Sequence, residues 1–386
     1  MTPDILLILG GGCAGLSLAV RLADGHFPYQ KVIIIEKRDA YQNDRTWCFW
    51  KLGNTHLTHL AAFEWKAFRV ASNNAEAILD CTETPYQMIR SCDVYDYALK
   101  KIKQSDRIEL HLGHSINNIA KTSQGEWLIE TDRGSFSGSL VIDTRPDSFE
   151  DIKPILWQSF YGQEIISETR LFEASVPDLM NFLQKSDDGV AFSYILPFSE
   201  TEALLETTVF GTEILTADDL ADRQFSLVNR ITNGRPYVVS RSEYGVLPMG
   251  GMSADIMASS SYFKVGLMAG SLRPSTGYAF QRIQRWAESC SISIKNGFGP
   301  IGHFPDPWPI RMMDDLFLKV LRDSPHLGAM MFYKIFKNVG PDKVIRFLSD
   351  HGKFSDCLSV IFALPAKPFL QMLLKGMIGL VKGSRT

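Results

Sequence analysis

The chain opens on an apolar run, Ile5 to Leu9, that passes straight into Gly10-Gly11-Gly12-Cys13-Ala14-Gly15. A continuous apolar run of this length predicts a strand buried on both faces of a parallel sheet. Leu16 to Ala23 then has the small and apolar character of a helix packed on that sheet, and KVIIIEK predicts a second buried strand ending in Glu36. GSLVIDTRP (138–146) predicts another strand, closing on Asp143, Thr144 and Arg145. YFKVGLMAGSLRPSTGYAFQRI (262–283) predicts a strand, a stretch of small residues and a helix opening at Pro274-Ser275-Thr276-Gly277-Tyr278. The pattern changes at EALLETTVF (202–210), where strand formers surround a single acid. Alternation puts Leu204, Glu206, Thr208 and Phe210 on one face, with Ala203, Leu205, Thr207 and Val209 on the other. Two later segments, 311–349 and 369–382, read as helical, the first rich in Met and Phe.

Composition narrows the class. A chain of 386 residues suggests two domains or one two-lobed unit, and a net charge of −3 lacks the basic excess of a nucleic-acid-binding protein. Six scattered cysteines (Cys13, Cys48, Cys81, Cys92, Cys290 and Cys357) form no CxxC or Cys/His cluster, so neither a metal site nor a disulfide scaffold is expected, and a reducing compartment fits. The N-terminal apolar run lacks a basic flank and is broken by three glycines, unlike a signal peptide. No uninterrupted apolar stretch reaches the length of a membrane span. The expected location is the cytoplasm, or the cytoplasmic side of a membrane with peripheral attachment.

Strand, glycines, helix, strand and terminal acid within the first forty residues form a dinucleotide-binding signature. Gly10 makes the tight turn, Gly12 lets the backbone approach a pyrophosphate, and Gly15 lets helix and strand pack closely. The helix N-terminus at Cys13 and Ala14 faces the phosphates, and Glu36, followed by Lys37, accepts from the ribose hydroxyls. An acid at this position favours an adenosine with free ribose hydroxyls, which leaves NAD or FAD. The strand ending in Asp143 resembles the one that closes the FAD domain in two-domain flavoproteins of the glutathione-reductase and hydroxylase type. The stretch through Pro274, Thr276, Gly277 and Tyr278 resembles their C-terminal flavin motif. These two resemblances favour FAD.

Taken alone, EALLETTVF has two readings. Glu206 lies in water on an edge strand, or it is a carboxyl group kept protonated by an apolar pocket so that it can donate its proton. The strings NDRTWCFW (43–50), YQMIRSCDVYDYAL (86–99), WQSFYGQEI (157–165), FSYILPFS (192–199), ALLETTVF (203–210), EYGVLPM (243–249) and GLMAGSLRPSTGY decide between them. In that order they resemble the bacterial flavin-dependent lycopene cyclases, along nearly the whole chain. Two positions depart from the family pattern. Thr207 stands where a second acid is usual, and Arg273 stands where a histidine precedes the Pro-Ser-Thr-Gly-Tyr turn, placed to pair with phosphate or with an anionic flavin.

The resemblance implies an α/β fold with a Rossmann-type FAD domain of the glutathione-reductase/hydroxylase kind. An inserted mixed-sheet substrate domain and a helical C-terminal region complete it. The expected boundaries are 1–65, 85–145 and 262–300 for the FAD domain, 66–84 and 146–261 for the substrate domain, and 301–386 for the membrane-facing region. It implies acid-initiated, non-redox β-cyclisation of the ends of lycopene, with reduced FAD as cofactor and NAD(P)H as reductant. Glu206 becomes the acid, and Glu243 is either the base for the final deprotonation or a solvated surface acid. Trp47, Trp50, Tyr194, Tyr244 and Tyr278 lie in the family motifs and supply aromatic faces for a cation, or else pack the core. Asp44 and Arg45 fix the loop that meets the cofactor, or form a surface ion pair. The segment FLQMLLKGMIGLVK fits a helix lying in a membrane interface, or one packed on the protein's own core. A redox enzyme acting on an isoprenoid and a non-catalytic carotenoid-binding flavoprotein are the competing expectations.

Overall fold

The computed structural model describes residues 4–53, 57–72, 75–146, 148–182, 189–251 and 257–383. In chain order the first elements are β1 (Ile5–Leu9), α1 (Cys13–Ala23), β2 (Lys31–Ile35), β3 (Thr46–Trp50), β4 (Phe63–Trp65), β5 (Ala67–Ser72), β6 (Ala75–Asp80) and β7 (Tyr86–Arg90). α2 (Ser91–Lys103), β8 (Ile108–His111), the meander β9 (Ile116–Lys121), β10 (Trp127–Thr131) and β11 (Gly134–Gly138), and β12 (Leu140–Asp143) come next. The long strands β13 (Leu156–Ser167), β14 (Asp178–Phe182), β15 (Val190–Pro197), β16 (Glu202–Gly211) and β17 (Tyr237–Met249) follow, with α3 (Ala217–Thr232) before the last of them. β18 (Met257–Ser259), β19 (Tyr262–Lys264) and α4 (Phe280–Lys295) lead to a run of helices: α5 (Trp308–Asp323), α6 (Gly328–Val339), α7 (Pro341–Leu348), α8 (Phe354–Ala363) and α9 (Ala366–Gly383).

Two sheets carry the molecule. The first has the order β18-β19-β12-β1-β2-β8, and all its neighbours but β18–β19 pair in parallel. Its central residues, Leu6 to Leu9 and Val32 to Ile35, are buried on both faces, as their unbroken apolar run requires. Gly10, at φ +96°, turns the chain from β1 into α1, and a Cβ at Gly15 would lie 2.1 Å from the Gly10 carbonyl oxygen. Only glycine allows that approach. α1 packs against α4, where the buried Arg21 guanidinium donates to Glu288 at 3.0 Å and Gln284 at 3.1 Å.

The second sheet has seven strands in the order β17-β13-β16-β15-β14-β5-β6, mixed because β14 and β5 are parallel. β16, the glutamate strand, is third from one edge and paired on both sides, which removes the edge-strand reading of EALLETTVF. Its two faces divide by alternation. Ala203, Leu205, Thr207 and Val209 lie under α3, where Gln224 accepts from Thr207 at 3.0 Å and donates to the Leu205 carbonyl at 2.8 Å. The opposite face meets α5 to α8, with Phe192 and Phe210 against Phe332, and Phe332 against Phe317. The small sheet β3-β7-β4 sits beside it.

Two expected helices are redrawn. The segment 311–349 is three helices, interrupted at Pro325 and again at Gly340-Pro341. The turn at Pro274 does not open a helix, because Gly277 takes φ +72° and α4 starts only at Phe280. Part of the terminal interface segment 369–382, residues 376–382, falls where side chains lie outside the described residues.

Candidate active site

The acid row is built by strand register. Tyr194 on β15 pairs with Glu206 on β16, Glu206 with Gly162 on β13, and Gly162 with Glu243 on β17. Directly paired residues share a face, so these four positions form one row across the sheet. Gly162 has no side chain, and a Cβ there would lie 3.4 Å from both Glu206 Cβ and Glu243 Cγ. The two carboxylic side chains therefore face each other over a glycine. The next rows complete the setting: Thr208 donates to Glu206 Oε1 at 3.0 Å, and Arg241 donates to Glu243 at 2.7 Å and to Glu164 at 2.8 Å. Thr46, reaching in from β3, donates to Glu243 at 3.1 Å and accepts from Arg241 at 2.6 Å.

The two acids have different environments. Glu243 is buried and its charge is met by Arg241, so the solvated alternative for Glu243 does not hold. Glu206 has only the Thr208 hydroxyl as its hydrogen-bond partner among the bonds described. Burial first, and the Glu243 charge second, push its carboxyl up to about 8, against the smaller downward pulls of Thr208 and Arg241. A group with that value holds its proton at neutral pH. Two carboxyls that cannot both ionise comfortably, one anchored by an arginine, are an arrangement that separates a fixed charge from a stored proton.

Beside this row lies an apolar cavity of about 580 Å³ between the seven-stranded sheet and the C-terminal helices. Trp50, Tyr194, Thr276, Tyr278, Phe192 and Phe332 are part of its wall. Glu206 stands one strand beyond Tyr194. Trp50 meets Tyr278 edge-on, with centroids 5.7 Å apart, and both side chains line the cavity.

Motif membership misled for two aromatics. Trp47 points to the other side of β3 from Thr46 and Cys48, stacking on Phe280 at 5.3 Å. Tyr244 alternates with Glu243 and so turns to the α3 side of the sheet, where its hydroxyl donates to the Leu215 carbonyl at 3.0 Å. Neither faces Glu206. Trp50, Tyr194 and Tyr278 do converge on the cavity.

The glycine-rich end forms a cradle for a dinucleotide. α1 starts at Cys13 with no acid in its first turn and no side-chain cap at Gly12, so the N–H groups at Cys13, Ala14 and Gly15 point outward along the helix axis. A Cβ built on Gly12 would meet nothing nearer than Arg38 at 4.0 Å, leaving an open approach to the backbone. The buried Glu36 carboxylate accepts from Gly11 N at 2.6 Å and from the Arg38 backbone and guanidinium at 2.9 and 3.0 Å. Burial pushes its pKa up, but the Arg38 and Gly11 bonds win and hold it below the usual carboxylate range. These residues fit a pyrophosphate and ribose. Lys37 is exposed; Arg38, the next residue, is the cation that reaches Glu36.

Other expected cofactor residues take supporting positions. Asp143 is buried with its oxygens engaged by Arg145 at 2.9 Å and the Tyr262 hydroxyl at 2.6 Å, so it anchors the end of β12. Thr144, its neighbour, reaches the Gly10 carbonyl at 3.0 Å. The exposed Arg45 side chain bonds only the adjacent Asp44 carbonyl among its described contacts, while its backbone N–H donates to Ser91 Oγ at 3.0 Å; the Asp44 carboxylate is held by Tyr95 at 2.9 Å and Arg38 at 3.3 Å. Pro274, Thr276 and Gly277 form a turn closed by Gly277 N to the Arg273 carbonyl at 3.0 Å, and Thr276 and Tyr278 reach the cavity. The Arg273 guanidinium is taken up by the protein itself. It is buried against Asp314 at 3.4 Å, the Phe347 carbonyl and Asp350 at 3.4 Å, fastening the turn to α5 and α7.

The sequence reading did not single out Gly162, Thr208, Arg241, Glu164, Thr46 or Arg38. Arg241 carried a usable signal, since an arginine two residues before Glu243 on a strand shares its face.

Solved structures share this architecture. A geranylgeranyl bacteriochlorophyll reductase-like protein from Thermoplasma acidophilum is 16% identical, with 98% of each chain covered and a TM-score of 0.59. A p-nitrophenol 4-monooxygenase from Pseudomonas putida is 14% identical over 97% of this chain and 98% of its own, with a TM-score of 0.56. A flavin-dependent brominase is 13% identical over 90% and 93%, with a TM-score of 0.60. At these identities the likeness speaks for the fold, a mixed α/β architecture with a Rossmann-like nucleotide sheet. No curated protein matches the sequence. The family model of the lycopene cyclase protein matches residues 4–374, and the chain belongs to the lycopene cyclase family.

Proposed function

We propose that the protein is a flavin-dependent lycopene β-cyclase that converts linear carotenoid ends to β-rings at the cytoplasmic face of a membrane. The observation that carries this reading is the row Tyr194–Glu206–Gly162–Glu243 beside an apolar cavity. A hydrocarbon has no polar handle, so a site that acts on it must hold it by shape and supply a proton from within.

Glu206 gives its proton to the terminal C1=C2 double bond, leaving a cation at C1. The C5=C6 electrons close the ring onto C1, and loss of the C6 proton restores a double bond, with no net oxidation. An alkene is a very weak base and a carboxyl with a raised pKa is a weak acid, so cation stabilisation must lower most of the barrier. Trp50, Tyr194 and Tyr278 offer ring faces to the cation, worth about 2 kcal/mol each when desolvated. Glu243, tied to Arg241, keeps Glu206 protonated between turnovers, and the emptied Glu206 carboxylate takes up the departing proton.

Gly10, Gly12, Gly15 and Glu36 would hold FAD, which in the reduced state, with NAD(P)H as electron source, would supply negative charge to the site. Support comes from the family membership and from structural neighbours described as a flavin-dependent brominase and a reductase-like protein. Those neighbours also favour a second reading, a flavin redox enzyme on an isoprenoid. Anaerobic incubation with lycopene and reduced FAD, followed by product analysis, separates the two. Cyclisation predicts an isomeric, ring-bearing product with reductant needed only once; NAD(P)H consumed in step with product overturns it.

A further inference from the structure

The cavity beside Glu206 does not end inside the protein. Its inner wall is made by Trp50, Tyr194 and Tyr278, and its outer wall by Met312 on α5, Ile361 and Phe362 on α8, and Leu370 and Leu373 on α9. The same five outer residues are among the exposed large apolar side chains of the molecule, Phe362 at 82% and Leu370 at 58%. Trp308, one turn before Met312 on α5, is 64% exposed, and Phe354 and Leu374 extend the apolar surface along α8 and α9. Three helices thus bring their apolar side chains to one rim, where the lining of the cavity continues as outer surface.

The geometry of the rim is fixed by sequence. Pro365 blocks continuation of α8, and the preceding Leu364 is extended as a residue before proline must be. The two helices meet at 101°, so α8 and α9 flank an opening. Among the described residues, no single helix is long and apolar enough to cross a membrane. Basic residues outnumber acids along α8 and α9, and one of them, Lys375, is paired with Asp323 of α5 at 3.1 Å. Residues 353–383 carry four lysines and one acid, Asp356, which is buried and paired with Arg346 at 2.9 Å. Arg311 and Lys367 are exposed next to the apolar side chains. In a chain of net charge −3 this is a local basic excess beside an apolar patch, complementary to an anionic lipid surface.

We infer that the rim of α5, α8 and α9 is a portal that embeds in the surface of an anionic bilayer, so that a linear polyene passes from lipid into the cavity without crossing water. This rests on the hydrocarbon substrate proposed above and adds the route by which it arrives. Trp308 is placed as an interfacial anchor, with the exposed rim side chains reaching the acyl region.

The test compares two ways of presenting lycopene. Wild type and the double variant Phe362→Glu/Leu370→Glu are assayed with lycopene in vesicles of phosphatidylcholine and phosphatidylglycerol, and in non-ionic detergent micelles. The portal predicts that the vesicle-to-micelle rate ratio falls by about tenfold in the double variant, because two charges now oppose insertion. An unchanged ratio, including an equal loss in both media, overturns it. A second readout needs no activity. Brominated lipids in the vesicles should quench a fluorescence component that disappears in Trp308→Phe, and a Trp308 signal untouched by brominated lipid also overturns the portal. Absence of ring products from wild type in both media would instead sink the proposed reaction, while the quenching result stands by itself.

Discussion

Glu36 at the tip of β2 is buried and Glu206 in the middle of β16 is partly so, and the protein treats the two glutamates in opposite ways. Glu36 sits where a helix N-terminus, a backbone N–H and the Arg38 guanidinium all supply positive charge, and its pKa falls in spite of burial. Glu206 sits among Tyr194, Thr208 and a second carboxylate, and its pKa rises. The difference lies in the neighbours rather than in the depth. One region holds a charge still so that a ligand can be oriented; the other holds a proton ready to move.

The largest break of this comparison is Glu206→Gln. It keeps the volume and removes the transferable proton, so ring formation should drop by about a thousandfold while retained flavin is unchanged. Ring-bearing product at the wild-type rate would refute the role of Glu206. Glu36→Gln is the converse, expected to weaken flavin affinity by about tenfold or more while saturating FAD restores turnover, as seen by flavin titration.

Stability should separate the two acids by sign. Glu36 has a lowered pKa, so its contribution is present above the ordinary carboxylate range and is lost as pH falls through the lowered value. Replacing it should cost about 2 kcal/mol at neutral pH in urea melts. Glu206 has a raised pKa, so its folded form is favoured at low pH and penalised progressively between the ordinary carboxyl value of 4.5 and about 8. Glu206→Gln should therefore stabilise the fold above that range, by on the order of 2 kcal/mol after allowance for partial exposure. The smallest effect belongs to Glu243→Gln. With the neighbouring charge gone, the alkaline limb of the pH–rate profile should move to lower pH by about one unit.

How much of this was legible along the chain follows from the distance over which each signal acts. The βαβ unit was readable because glycines, helix start and Glu36 are local and each has one conformational role. The face of Glu206 was readable from alternation, and the same parity places Thr207 against Gln224. Parity also puts Tyr244 on the opposite face from Glu243, which membership in a shared motif does not reveal. Gly162 was silent, because a glycine in a strand looks the same whether it marks a bulge or makes room for two acids. The place of Arg273 in the turn suggests an anion ligand, but its partners lie on α5 and after α7, in segments without sequence proximity. The cavity itself depends on how α5 to α9 close over the sheet, a tertiary event no periodicity reports.

The central claim is that Glu206 carries its proton at neutral pH. Infrared difference spectra of wild type against Glu206→Gln, recorded across pH, report the carbonyl stretch of a protonated carboxyl directly. The account predicts a protonated-carboxyl band assigned to Glu206 at neutral pH that disappears with a midpoint near the value of about 8 set by burial and Glu243. A Glu206 already ionised at neutral pH, with no such band, would contradict it.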